Sequence, residues 1–426
     1  MSELIIEERR LVVYINDEIV GELREHNGLW AFEYALDWLS KPNAFPLTPS
    51  LLLRQEAHID TGTKRPVQWF FDNLLPEEKA REVLAKDYKL DKEDAFALLE
   101  AIGSESAGAI TLLKPDEKLP PGELFPLSDK ELSQRIQKLP KTQLNNKERK
   151  RMSLAGAQHK MLLVIKGKER FEPSGQVPST HILKPEHSEP GSYWFTVRNE
   201  HFVMTLAEKC QLTVPRVAID YIPEPVYIVE RFDRTGQLPN IKRLHVLDGC
   251  QILDISASAK YRASNVTALN SLIAMTRAPA QTATRLFRWA LFNFLVGNGD
   301  AHLKNLTFSY SLNDCQLMPH YDLLSTAVYA NAGEHINEEL SQPLGNARNF
   351  GQVTREDVLA FAQELRLSKR VAEREVDKVC AQIQQQADEL IAQIEALPVY
   401  EQKAGELQLL RNIRYRCIGE FVAQIR

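Results

Sequence analysis

The run Gly297-Asn298-Gly299-Asp300-Ala301-His302-Leu303-Lys304-Asn305 holds an Asp and an Asn in the pattern D-x-x-x-x-N, and Tyr321-Asp322 supplies a second Asp further on. The preceding stretch, Phe287 to Val296, is apolar at helical spacing, with Trp289, Phe292 and Phe294 as core aromatics. A fold carrying this pattern must bury that helix and bring two polar loops to one place. One Asp facing an attacking hydroxyl, with an Asn and a second Asp holding Mg²⁺ on ATP phosphates, is the polar set of phosphoryl transfer. That reaction is mostly positioning and charge neutralisation. D-x-x-x-x-N also arises by chance, so upstream residues must decide.

Upstream, Arg151-Met152-Ser153-Leu154-Ala155-Gly156-Ala157-Gln158 precedes a β-like run from Met161 to Ile165. Small residues at Ala155, Gly156 and Ala157 let backbone N–H groups approach phosphates. The string is neither a Walker A loop nor G-x-G-x-x-G, and alone it reads as an ordinary turn into a strand. Its position gives it weight. In Thr180-His181-Ile182-Leu183-Lys184-Pro185, Lys184 ends an apolar run. Its ammonium suits the α/β phosphates, or it is a strand-end Lys facing solvent. Glu200 opens a helix expected over 199–210. It orients that Lys, or it is a first-turn acid favoured by the helix dipole. Tyr227 to Arg234 is a strand running into polar residues. Either it is a hinge whose Glu230 and Phe232 backbone groups bond adenine, or an edge strand with a charged end. Tyr321 is placed to pack on the nucleotide. His302 either assists the loop electrostatically or is a hydrogen-bonded structural His, and His320 reads as structural.

A chain of 426 residues has room for about two or three domains. The net charge of −5 gives no global attraction to nucleic acid or an anionic membrane. The five cysteines are scattered and never spaced C-x-x-C. They argue against a disulfide framework or zinc site and suit a reducing cytosol. The N-terminus is acidic where a signal peptide needs a basic start, and Trp289 to Val296 is too short to span a bilayer. The expectation is a cytoplasmic protein with no membrane partner.

Residues 10–25 alternate as a β-hairpin, with Leu11, Val13 and Ile15 on one face, Asn16-Asp17 as the turn, then Ile19, Gly21 and Leu23. Trp30 to Trp38 reads as a second β run. Residues 67–86 carry helical spacing with a start signal at Pro76-Glu77-Glu78, Ala95 to Ile102 is a short helix, and 107–113 is a strand. Prolines and a basic cluster mark 114–151 as linker around a helix at 128–138. Residues 160–235 are β-rich, and from about 240 the chain reads as helical, ending in 3-4 periodicity from Val376 to Leu397. The expected domains are 1–112, a linker over 113–151, a β-rich lobe over 152–239 and a helical lobe over 240–426.

With these pieces in order, the chain resembles the HipA family of bacterial toxin serine/threonine kinases. The likeness rests on Phe45-Pro46-Leu47-Thr48-Pro49-Ser50-Leu51, Phe71-Asp72-Asn73-Leu74-Leu75-Pro76-Glu77, Ser153-Leu154-Ala155-Gly156-Ala157-Gln158 and His181-Ile182-Leu183-Lys184-Pro185. It continues through Asn199-Glu200, Val229-Glu230-Arg231-Phe232-Asp233-Arg234, the 297–305 run and Tyr321-Asp322-Leu323-Leu324-Ser325-Thr326. The resemblance implies an α+β, bilobal protein-kinase-like fold with an added N-terminal α+β subdomain, and ATP and Mg²⁺ as cofactors. Asp300 would be the catalytic base, Asn305 and Asp322 metal ligands, and Lys184 a phosphate contact. The loop through Ala155, Gly156, Ala157 and Gln158 would cover the phosphates, and Ser153 matches an autophosphorylated serine. It further implies a HipB-like helix-turn-helix antitoxin, operator DNA bound mainly through that antitoxin, and a dimer or heterotetramer with it. The protein substrate would be an aminoacyl-tRNA synthetase, glutamyl-tRNA synthetase first, whose phosphorylation stops translation and growth. The alternative is a catalytically silent scaffold acting as corepressor. Gly299 replaces a more usual Thr or Ser, which is expected to loosen the loop.

Overall fold

The computed structural model describes residues 8–139, 144, 158–312, 314–330 and 338–426. Ser153, Ala155, Gly156 and Ala157 of the expected phosphate loop lie outside the described residues. The chain divides into two compact units that interleave in sequence. The first comprises residues 1–184, 230–258 and 308–315, and the second 185–229, 259–307 and 316–426.

In the first unit, strands β1 (Arg9–Ile15), β2 (Glu18–His26), β3 (Leu29–Tyr34), β4 (His58–Ile59) and β5 (Ile110–Leu113) form an antiparallel sheet ordered β4-β3-β2-β1-β5. Leu11, Val13 and Ile15 are buried as their alternation predicts. Asn16 takes a positive φ of 53° in the turn, a conformation Asn tolerates. The return strand breaks the expected Ile19, Gly21, Leu23 alternation. Val13 pairs with Gly21 but Tyr14 pairs with Ile19, so Val20 is an extra bulged residue. Val20 is therefore buried and Ile19 is exposed.

The run Trp30 to Trp38 is not one strand. β3 ends at Tyr34, and Leu36–Leu39 is a helical turn that buries Trp38, whose indole donates to the Phe45 carbonyl at 3.2 Å. The helical spacing over 67–86 splits into Pro66–Asp72 and Glu78–Tyr88, because Pro76 cannot continue a helix. Further strands β6 (Leu124–Pro126), β7 (Met161–Lys166), β8 (Glu169–Pro173) and β9 (His181–Pro185) follow one another in space as β9-β7-β8-β6. The helix Asp129–Ile136 is capped by the Ser128 hydroxyl, which accepts from the Glu131 N–H.

The second unit holds the helix Thr196–Lys209, the antiparallel pair Val217–Tyr221 and Pro225–Glu230, the core helix Pro279–Val296 and the long helix Lys369–Glu395. The long helix buries Val376, Val379, Cys380, Ile383, Ala387, Leu390 and Ile391, but the stripe expected to run on to Leu397 stops there, since the helix ends at Glu395 and Leu397 is 46% exposed. The chain after 240 is not wholly helical. Thr307–Ser311 and Asp314–Leu317 are strands, as are Glu339–Leu344 and Ala347–Asn349. Thr307-Phe308-Ser309-Tyr310-Ser311 carries the two-residue period of a strand. The five cysteines are buried. Among the described residues, no helix is long and apolar enough to cross a membrane.

Candidate active site

The core helix Pro279–Val296 buries Leu286, Phe287, Trp289, Phe292 and Phe294 and ends at Gly297, whose φ of +70° is left-handed. A Cβ at Gly297 would sit 2.8 Å from the Ala327 Cβ. The loop beyond is fastened at each residue. The Asn298 amide donates to Asn293 Oδ1 at 2.7 Å, and its Oδ1 accepts from the Asp300 N–H at 3.0 Å. The Gly299 N–H donates to Thr326 Oγ1 at 2.7 Å, and the Ser341 hydroxyl donates to the Gly299 carbonyl. Glycine at 299 therefore does not loosen the loop, because both of its backbone polar groups are pinned. A Cβ there would press within 3.0 Å of Thr326 Oγ1, which gives the glycine a reason.

Asp300 emerges from this loop with its side chain 41% exposed. Its Oδ1 accepts from the Tyr261 hydroxyl at 2.5 Å and lies 3.7 Å from His302 Nε2. His302 is buried, and its ring meets Tyr261 edge-on at 4.9 Å. Asn305 donates from Nδ2 to the Asp300 carbonyl at 2.7 Å, which makes Oδ1 the atom that could take a metal. The strand Thr307–Ser311 then leads away from the loop, and the Met318 N–H returns to the Thr307 carbonyl at 2.8 Å. This return delivers Tyr321 and Asp322. The Tyr321 hydroxyl donates to the Lys304 carbonyl at 2.7 Å and lies 2.8 Å from Thr307 Oγ1. It ties the Asp322 segment to the turn that carries Asn305.

Asp322 has a φ of +59°, a left-handed backbone that is uncommon outside glycine but that Asp enters more readily than most residues. The residues that follow hold it in place. Asn199 donates to the Ser325 carbonyl at 2.8 Å and accepts from the Ser325 N–H at 2.9 Å. The Thr326 and Ala327 N–H groups both donate to the Gly297 carbonyl at 2.9 Å. The segment carrying Asp322 is thus stitched both to the helix Thr196–Lys209 and to the loop carrying Asp300.

That helix starts at Thr196, three residues before the sequence suggested. Glu186 explains the early start, since its Oε2 accepts from the Thr196 hydroxyl at 2.8 Å and the Val197 N–H at 3.3 Å. Glu200 is therefore past the first turn and buried, so the helix dipole, which acts within the first turn, is not its reason. It faces Tyr227. Burial first, then the charges of Glu200 and Asp322, raise the Tyr227 phenol well above its usual range. His320 is held down to about 3 by burial and by Arg285. It lies 6.4 Å from Trp289 in a stacked pair, the structural role its sequence suggested.

The remaining candidates belong to the first unit. Lys184 lies in β9 and is only 8% exposed, so it is not a solvent-facing strand end. Gln158 is half-buried at a bend. Glu230 ends its strand exposed and Phe232 is half-buried, while the alternate residues Arg231 and Asp233 are buried. Arg231 forms a two-pronged pair with Asp233 at 2.9 and 2.6 Å. Arg234 bonds Glu105 at 3.0 Å, and the Gly108 N–H donates to Asp233 at 2.8 Å. Burial opposes the charge on Asp233, yet Arg231 and Arg234 outweigh it and hold that carboxyl well below the usual range. Arg234 itself is pushed down to about 10 by burial and Arg231. The charged end of the 227–234 segment is thus an internal ionic cluster with the 105–108 turn.

Mg²⁺ takes oxygen ligands and usually keeps waters and substrate phosphates beside about one or two carboxylates. Asp322 and Asn305 Oδ1 fit such a partial site. Among the described residues, no group of three His, Cys, Asp or Glu could hold a metal on its own. Sequence reasoning missed Tyr261, which lies far upstream of Asp300 in a segment with no motif. It also left the role of Asn199 unread.

Residues 11–113 match the model of the HipA N-terminal domain, and residues 152–387 match that of the HipA-like C-terminal domain. A serine/threonine-protein kinase toxin HipA from Shewanella oneidensis is 31% identical over 98% of this chain and 97% of its own. A putative kinase of Sinorhizobium fredii is 33% identical over 84% of this chain and 86% of its own. Among solved structures, a chain of the Shewanella oneidensis toxin–antitoxin complex of HipA, HipB and operator DNA matches with a TM-score of 0.81 and 30% identity. That match covers 98% of this chain and 99% of the other. The fold is the α+β, kinase-like one that the sequence implied. A likeness first read from short strings extends along nearly the whole sequence, and the chain belongs to the HipA family.

Proposed function

We propose that this chain is a Mg-ATP-dependent serine/threonine protein kinase and the toxin of a toxin–antitoxin pair. The observation that carries the reading is the joining of Asp300, Asn305 and Asp322 through Tyr321, Thr326 and Gly297. It stands on a chain aligned end to end with a kinase toxin. In this reading Asp300 accepts the proton of the acceptor hydroxyl. Asn305 and Asp322 hold Mg²⁺, which neutralises charge on the transferring phosphoryl group. Lys184 contacts the phosphates, the 154–158 loop covers them, and backbone groups of Glu230 and Phe232 bond the adenine. The ionic cluster under Arg231 and Asp233 supports that hinge role, because it fixes the backbone between them.

Ser153 is the autophosphorylation site in this reading, where a phosphate would add about −1.5 to −2 of charge beside the phosphate loop and switch the kinase off. The partner is a small HipB-like helix-turn-helix antitoxin, through which the pair binds operator DNA and acts as corepressor. The acceptor is a translation protein, with glutamyl-tRNA synthetase the first choice. In this reading residues 1–112 are an N-terminal subdomain, 113–151 a linker, 152–239 the nucleotide lobe and 240–426 the catalytic lobe. Induced expression tests the toxin reading. The wild-type chain should arrest growth while Asp300→Asn, made to equal levels, should not. Equal arrest by both would overturn it.

A further inference from the structure

The hydroxyl of Tyr261 donates to Asp300 Oδ1 at 2.5 Å. In the reading above, which this inference rests on and deepens, that is the contact an acceptor hydroxyl must make with the base. Tyr261 is nevertheless a surface residue, 44% exposed. Its ring is held from two sides, with His302 edge-on at 4.9 Å and Lys260 Nζ 5.0 Å from the ring centroid. His302 and Lys260 are themselves buried, so the bed under the ring is fixed while the ring has solvent beside it. The loop presenting Asp300 is pinned through Asn298 and Gly299. The backbone presenting Asp300 therefore stays in place when the phenol leaves, and the surface ring of Tyr261 is the partner with room to move.

We infer that Tyr261 marks the acceptor site: its phenol occupies, in the resting protein, the position that a serine or threonine hydroxyl takes during transfer. The entering side chain displaces the phenol from Asp300. The acceptor O–H then gives its proton to Asp300, its oxygen forms the new bond to the γ-phosphorus, and the bond from that phosphorus to ADP breaks. A short aliphatic hydroxyl fits where the phenol tip now sits, with the tyrosine ring swung aside as a wall. The same contact engages Oδ1 of the base while no acceptor is bound, so that oxygen is not offered to an attacking water, which limits idle ATP hydrolysis.

The test uses the full chain with Mg²⁺ and γ-labelled ATP. Wild type, Tyr261→Phe, Tyr261→Ala and Asp300→Asn are compared on two acceptors, water and dephosphorylated casein. Tyr261→Phe removes one surface oxygen and keeps the ring. It should raise ATP hydrolysis several-fold and lower the KM for casein several-fold, with the KM for ATP unchanged within about twofold. Tyr261→Ala should raise hydrolysis further. Unchanged hydrolysis and casein KM in the Phe variant would overturn the inference, as would a fall in kcat, which would make the phenol a support for the base. Label in no protein would overturn the kinase reading and this inference with it. Label in wild type with no effect at Tyr261 overturns the inference alone.

Discussion

Asn199 and Ser325 grip each other through both backbone groups of the serine, with the Asn amide donating to the carbonyl at 2.8 Å and its oxygen accepting from the N–H at 2.9 Å. Both residues are fully buried. The pair fixes the helix carrying Glu200 to the segment carrying Asp322, three residues upstream of the serine. Asn199→Ala leaves two buried backbone groups unpaired and should cost about 2–4 kcal/mol. Asn199→Asp should cost at least as much, since a carboxylate cannot donate to the Ser325 carbonyl. Urea unfolding measures the stability. Activity in both variants should need more Mg²⁺ for half-saturation, and an unchanged Mg²⁺ requirement would separate the clamp from the metal role proposed for Asp322.

Gly297 should not accept a side chain. Its φ of +70° and the 2.8 Å approach that an added Cβ would make to Ala327 act together, so Gly297→Ala should destabilise by about 1–3 kcal/mol. The loop carrying Asp300 begins at this residue. A shift of about 1 Å there should lower phosphoryl transfer by about 10²-fold. Retained stability and activity in the Ala variant would contradict the cap's role.

The ionic cluster of Arg231, Asp233, Arg234 and Glu105 should be costly to break. Asp233→Asn leaves two buried guanidinium groups under-compensated, and about 3–5 kcal/mol should be lost. Asp233 has a depressed folded pKa. Its contribution is therefore full above the unfolded value of about 3.9 and is lost as pH falls below that value toward the folded one. Unfolding midpoints measured between pH 3 and pH 5 should fall with pH in wild type and less steeply in Asp233→Asn.

Histidines set the next part of the acid limb. Burial, reinforced by Arg198, holds His201 down to about 4; burial also holds His245 to about 4, and burial with Arg285 holds His320 to about 3. The folded protein keeps them neutral, while the unfolded chain binds protons below about pH 6.5. Stability from these groups is full above that value and is lost as pH falls toward 4. Each contributes on the order of 1–2 kcal/mol of the difference between pH 7.5 and pH 5. His320→Gln should make the decline shallower across that window, as read from urea midpoints, and an identical slope would contradict the assignment.

Local pattern revealed much of this molecule. The alternation of Leu11, Val13 and Ile15 and the stripe from Val376 to Ile391 were legible because burial on one face writes a period into the sequence. The bulge at Val20 was not legible, because strict alternation and a bulged strand differ only in pairing. The start of the helix at Thr196 was hidden because its cap, Glu186, lies ten residues back. Within the site, Asp300, Asn305, Tyr321 and Asp322 stood out by spacing. Tyr261 left no local mark, because its link to Asp300 exists only through space. The charges in Val229 to Arg234 read either as a hinge or as an edge strand with a charged end, and their partners Glu105 and Gly108 could not be named because they are distant in sequence.

The most direct test is phosphoryl transfer itself. Purified chain, dephosphorylated beforehand, would be incubated with Mg²⁺, γ-labelled ATP and a translation-competent bacterial lysate, beside Asp300→Asn and Asp322→Asn. The account predicts label on the chain and on a lysate protein, reduced at least ~10²-fold in both variants while their unfolding curves match wild type. Label that persists in the variants, or no label with any of the three proteins, would contradict it.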